Sequence, residues 1–155
     1  RKVELPAEGA LLPGPLEMYV TLVLATLASI LMGLLISSLA SNRDMVIYMI
    51  LLVLFVQIIF AGAIFELHQS VEFISKLTTT RWALDALGST VDLPSLADQH
   101  KIQGRPMPLE EEDFPLPYTH EAGHVLGRWA ILLVFAGAFG GLTWWVQMRK
   151  DQQAR

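Results

Sequence analysis

The strongest constraint on this 155-residue chain is an uncharged run of 21 residues, Met45 to Phe65, MVIYMILLVLFVQIIFAGAIF. Gln57 is its single strongly polar side chain, and Asp44 and Glu66 bound it. At about 1.5 Å per residue the run makes roughly 30 Å of helix, the thickness of a bilayer's hydrocarbon core. A soluble domain could bury a helix apolar on every side only within a core larger than this chain can build. The run therefore predicts a membrane span, and the other segments are placed relative to it.

Two further runs have the same character. Leu16 to Ala40 follows Pro15 and carries Glu17 in its first turn, where a carboxylate suits the positive end of the helix dipole. Within it Ala25, Ser29 and Gly33 recur every four residues, a small-residue stripe expected to pack against the next helix, with a substrate-facing surface as the minority reading. The link Ser41-Asn42-Arg43-Asp44 is short, so residues 16–66 read as an antiparallel transmembrane hairpin. The third run, Trp129 to Val146, follows Arg128 and ends in the interfacial pair Trp144-Trp145, with Gly137, Gly140 and Gly141 offering a smooth face. The expected fold class is an all-α polytopic membrane protein with three transmembrane helices plus short re-entrant or interfacial external helices. A hydrophobic content of 53% and a mean hydropathy of +0.46 agree with it.

The charges lie between and beyond these runs. Residues 67–93 are moderately apolar and interrupted, too short to span, and read as interfacial helices with Trp82 at headgroup level. Thr78 to Thr80 offer capping hydroxyls ahead of Arg81. Residues 94–119 hold five of the eight prolines and the acidic run Glu110-Glu111-Glu112-Asp113, the main source of the net charge of −4. The resulting division is an external loop (1–15), the hairpin (16–66), an external region (67–128), a final span (129–147) and a tail (148–155). The positive-inside rule puts Arg43 and the Arg149-Lys150 tail in the cytoplasm and loop 67–128 outside, at a plasma or inner membrane. No basic, aromatic-interleaved patch points to nucleic acid. The lack of cysteine excludes a disulfide framework and a thiolate metal site from this chain. It begins with Arg1 and has no signal-peptide pattern, so it reads as a fragment of a longer protein.

Residue order now becomes informative. Gln57-Ile58-Ile59-Phe60-Ala61-Gly62 ends the second span, and Thr80-Arg81-Trp82 with Ala86-Leu87 follows a short amphipathic segment. This order resembles the C-terminal half of the permease (transmembrane) domain of type-2, G-subfamily-like ABC transporters. There a phenylalanine–small–glycine exit leads into re-entrant helices and a Thr-x-Arg-Trp-like motif. The resemblance implies a membrane-embedded permease portion of an ATP-driven ABC exporter, working as a homodimer with a second permease copy and with ATP-binding cassettes that hold ATP and Mg. It places an external gate near Phe60, Ala63, Ile64 and Phe65, and a re-entrant motif at Thr80, Arg81 and Trp82. Gln57 is too costly to face lipid and should face protein or a cavity, with structural hydrogen bonding the favoured reading and a polar position on the transport pathway the other. This chain has no GxxxxGK[ST] sequence, so ATP hydrolysis is expected in an upstream domain or a partner chain, and no cofactor in this one. Apolar pathway walls would fit lipids, glycolipids and hydrophobic drugs alike.

Two alternatives come from other classes. The first is a non-catalytic accessory subunit of a larger membrane complex, using its small-residue faces only for packing. The second rests on His120-Glu121-Ala122-Gly123-His124, which matches HExxH. On a helix that spacing puts His120 and His124 on one face as zinc ligands with Glu121 as general base, the arrangement of a membrane zinc metalloprotease. A catalytic zinc needs a third protein ligand, and the only downstream acid, Asp151, lies roughly 40 Å along the helix. The bland reading, a polar helix start at the outer interface, is favoured, with no metal.

Overall fold

The structure is a computed structural model that describes residues 9–61, 72–93, 116 and 118–153. Their regular secondary structure is α-helix: α1 (Gly14–Leu39), α2 (Arg43–Ile59), α3 (Glu72–Lys76), α4 (Thr79–Thr90) and α5 (Ala122–Gln153). Proline sits at the start of α1, where its missing N–H costs nothing, and the Pro13 carbonyl accepts from the Leu16 and Glu17 amides. Ala40 turns the chain to extended backbone, and Asn42 starts α2, its side chain accepting from the Met45 amide at 2.8 Å.

α1 and α5 lie side by side and run parallel. Thr21 meets Trp129, Leu31 lies against Gly140, and the Lys150 ammonium donates to the Ser38 carbonyl at 2.6 Å, so both chains advance in the same direction. Residues buried on α1 (Thr21, Ala28, Ile36) and α5 (Val125, Leu132, Ala136, Thr143) recur at helical spacings and form most of the core. Parallel neighbours require a return path. α2 starts beside the far end of α1, and its other end, at Gln57 and Phe60, reaches α4, which in turn touches the start of α1.

α1 and α5 are both long and apolar enough to cross a membrane, and only 17% of each apolar window is buried. Apolar helices that expose most of their surface are not the core of a soluble fold, so this is an all-α membrane protein. The final helix starts at Ala122, ahead of the expected Trp129, and its 32 residues reach about 48 Å, longer than a bilayer core is thick. Its first two turns, with His124 and Arg128, are continuous with the apolar helix that follows. The helical part of α2 stops at Ile59 and Phe60 caps it; Gly62 to Phe65, the rest of the long apolar run, lie outside the described residues.

Candidate functional site

Gln57 sits near the end of α2 and spends its whole amide on the neighbours. Its Oε1 accepts from the Thr80 amide (3.1 Å) and the Thr80 hydroxyl (2.8 Å). Its Nε2 donates to the Thr79 hydroxyl (2.9 Å) and lies 3.6 Å from the Met32 sulfur. A side-chain amide has two donors and two acceptor positions, and all are engaged. Clefts open on either side of this junction. One of about 290 Å³ lies between Ser29, Gly33 and Ile36 of α1 and Ile50 and Leu54 of α2, with Gln57 and Thr80 on its wall. A second, about 270 Å³, is bounded by Val56, Ile74, Leu77 and Thr78, and shares Met32, Val53 and Gln57 with the first.

These clefts correct the expectation for the small-residue stripe. A methyl group at Gly33 would meet nothing within 4 Å, and the Ser29 hydroxyl turns back to the Ala25 carbonyl at 2.8 Å. The stripe opens space facing α2 instead of drawing the two helices together. The reason lies in the burial pattern: α1 commits its buried positions elsewhere, while α2 buries none of its residues.

The Thr80-Arg81-Trp82 motif gathers at the same junction. Thr80 holds Gln57; Arg81 donates from Nη1 to the Ser75 hydroxyl (2.7 Å); and the Trp82 indole donates to the Lys76 carbonyl (2.9 Å), tying α3 to α4. The threonines do not act as helix caps. Thr78 is the N-cap residue of α4, but its hydroxyl serves the Ser75 carbonyl (2.7 Å) and lies 3.2 Å from the Phe60 carbonyl. Phe60 is thus held through its backbone. Ala63, Ile64 and Phe65 lie outside the described residues.

The other side of α4 is polar and buried, which sequence reasoning missed. Asp85, 1% exposed, places Oδ2 2.6 Å from Arg128 Nε and receives the His124 imidazole on Oδ1 at 3.0 Å. The Arg128 contact is ionic, without the alignment of a hydrogen bond. That guanidinium also lies 4.9 Å from the centre of the Trp82 ring, a cation–π contact. Thr90 donates to the buried Glu17 carboxylate at 2.6 Å or to the Ala86 carbonyl at 2.9 Å, and the Leu11 and Leu12 amides also donate to Glu17. Trp129 donates to the Thr21 hydroxyl at 2.8 Å. The Tyr118 ring lies so close to Gly88 that any side chain there would collide with it. Burial, and secondarily the negative Asp85, raise the Tyr118 hydroxyl's pKa above the ordinary value. Asp85 and Ser89 are four apart on one face of α4, Thr90 lies on the side turned to α1, and His124 and Arg128 are four apart on α5. Those matched polar spacings were the signal available in the sequence.

The HEAGH string takes a different form from a helical zinc site. The helix begins at Ala122, so His120 precedes it, and its Nδ1 donates to the Ser89 carbonyl at 2.8 Å. His124 points to Asp85, and Glu121 is exposed while its carbonyl accepts from the His124 and Val125 amides. Among the described residues no three histidines or carboxylates converge as a metal site would need.

A hairpin of apolar helices, a following pair of short helices and their polar junction invite comparison with known families. The profile of the ABC-2 type transporter family matches residues 6–91, more than half of the chain. The chain belongs to the ABC-2 type transporter family. The match runs from before α1 to the end of α4, so the Gln57 junction and Asp85 lie within it, and α5 continues beyond it. Neither the curated proteins nor the solved structures compared with this chain include a match. The matched ABC-2 region is a membrane permease domain, not itself catalytic, of a kind that generally partners with ATP-binding cassettes.

Proposed function

We propose that this ABC-2 chain is the pathway-forming half of an ATP-driven exporter permease. On this reading α1, α2 and α5 are three spans. α3 and α4 are re-entrant external helices, loop 67–128 faces outside, and the 148–155 tail is cytoplasmic at a plasma or inner membrane. Two copies enclose one pathway. Cassettes upstream or on partner chains supply ATP and Mg chemistry. Phe60, Ala63, Ile64 and Phe65 form the external gate.

The observation that carries this reading is Gln57 at the wall of the 290 Å³ cleft, its amide bonded to the first residues of α4. A polar group in an otherwise apolar span needs partners, because an unpaired amide in hydrocarbon costs several kcal/mol. Here the partners are on the helix beyond the exit, so the cleft wall and the external helix are mechanically joined. The cleft's apolar lining suits a hydrophobic body, with lipid, glycolipid and drug-like amphiphiles as the substrate class.

The test is Gln57→Leu in the full transporter, reconstituted with its cassettes. Substrate preference should shift, or ATP hydrolysis should continue without matching transport, while the protein still inserts and folds. Unchanged transport and coupling would remove Gln57 from the pathway. A bulky replacement at Ala63 should obstruct release and leave substrate binding largely intact.

A further inference from the structure

Resting on the exporter reading, we infer that the chain is built as two mechanical bodies: a clamped group of α1, α4 and α5, and a separate lever, α2, latched to it by Gln57. The two kinds of attachment differ in chemistry. Within the clamped group the ties are buried and partly charged: Asp85 with Arg128 and His124, Glu17 with Thr90, and Thr21 with Trp129. They connect α4 to α5, α1 to α4 and α1 to α5, closing a triangle in which no helix can move alone. A further bond, from Lys150 to the Ser38 carbonyl, holds α1 to α5 at the opposite end.

α2 has no comparable attachment among the described residues. It buries none of its side chains, and the clefts beside it leave its flank against α1 incompletely packed. Its described hydrogen bonds to the clamped group are neutral and gathered at one end: Gln57 on Thr79, Thr80 and Met32, with the Phe60 carbonyl 3.2 Å from the Thr78 hydroxyl. Neutral hydrogen bonds are individually weaker than bonds to a charged group, and separating a charge pair at a buried carboxylate leaves that charge uncompensated. When force from a cassette reaches this domain, the neutral latch yields first. α2 then swings along the clefts, and Met32, Val53 and Gln57, which line both, pass between them. The clamped group keeps its shape.

Distances in the full transporter test this. Val134 (70% exposed), Ile30 and Phe55 lie on the exposed surfaces of α5, α1 and α2, outside the latch and the clamp. Spin labels are introduced as Val134→Cys with Ile30→Cys, and as Val134→Cys with Phe55→Cys. Labelled chain is diluted with unlabelled chain so that each transporter carries one labelled copy, and transport is measured in the same vesicles. On trapping with nucleotide, the α5–α2 distance should shift by more than about 2 Å, the scale of helix displacement in switching proteins, while the α5–α1 distance stays fixed. Thr80→Val, which removes the latch hydroxyl, should move the nucleotide-free α5–α2 distance toward the trapped value and slow transport. A shift in both pairs, or in neither while transport proceeds, overturns the two-body inference and leaves the exporter reading standing. Vesicles that hydrolyse ATP but never transport overturn both.

Discussion

α1 and α2 are chemically alike, leucine-rich helices joined by a short link, yet the fold uses them in opposite ways. α1 buries Glu17, Thr21, Ala28 and Ile36, while α2 buries nothing. The difference follows the polar residues. In a bilayer, lipid tails solvate leucine as well as another helix does, so apolar side chains give a helix little reason to choose a neighbour. A carboxylate or hydroxyl does give one, because left unpaired in hydrocarbon it costs free energy. α1 carries such groups where α4 and α5 can answer them; α2 carries Gln57, and that is where it is held.

The most severe way to break this contrast is Asp85→Ala, which takes the carboxylate away from the half-buried Arg128 and from His124. It should cost about 1.5–3 kcal/mol, the range for bonds to charged groups, and appear as a large fall in the thermal unfolding midpoint of detergent-solubilised protein, or as loss of folded protein from the membrane. Gly88→Ala comes next. The added methyl collides with the Tyr118 ring, and overpacking of this kind costs about 1–3 kcal/mol. Tyr118→Ala in the same chain should recover most of that loss in the same melting assay.

A milder probe is Trp129→Phe, which removes the bond to Thr21 along with part of the ring; the bond's own share should be about 0.6 kcal/mol, the average coupling found for interhelical hydrogen bonds in a membrane protein. A double-mutant cycle with Thr21→Val isolates it. Tyr118 gives a pH signature of known sign. Its folded pKa is raised, so the stability it contributes is fully present below the ordinary value of 10.0 and is lost as pH rises through the higher folded value. Melting curves between pH 8 and pH 11 should be flat at first and then fall, and Tyr118→Phe should flatten the last part. The smallest effect is expected on α2: Leu51→Ala, on its exposed face, should change stability by no more than about 0.5 kcal/mol. A large loss there would sink the contrast between the two helices.

Much of this was legible in the sequence, and the physical reason divides what was from what was not. Length and hydropathy report where a helix lies, so the apolar runs and the short helices after Leu67 could be read directly. Gln57 stood out because its surroundings are uniformly apolar. Asp85 did not, because residues 67–93 are moderately polar throughout and one carboxylate there attracts no notice. Its significance comes from Arg128, placed against it by the parallel packing of α1 and α5, which no local pattern encodes. HEAGH carries a zinc spacing that already ranks, in the sequence, below a polar helix start; the helix begins after His120, so the two imidazoles do not share a helical face.

The parallel packing of α1 and α5 also sets an order in time. Thr21 waits for a tryptophan 108 residues later, and Glu17 for a threonine 73 residues later. At a synthesis rate of about 5–20 residues per second, the first helix leaves the ribosome roughly 5–20 s before its last partner exists. During that interval these two groups have only their local partners, the Glu17 carbonyl for the Thr21 hydroxyl and the Leu11 and Leu12 amides for the Glu17 carboxylate. A chain cut short before α5 would strand Asp85 and Thr21 together. The bonds that join α1 and α4 to α5 thus form last, and a finished chain differs from an unfinished one in having them.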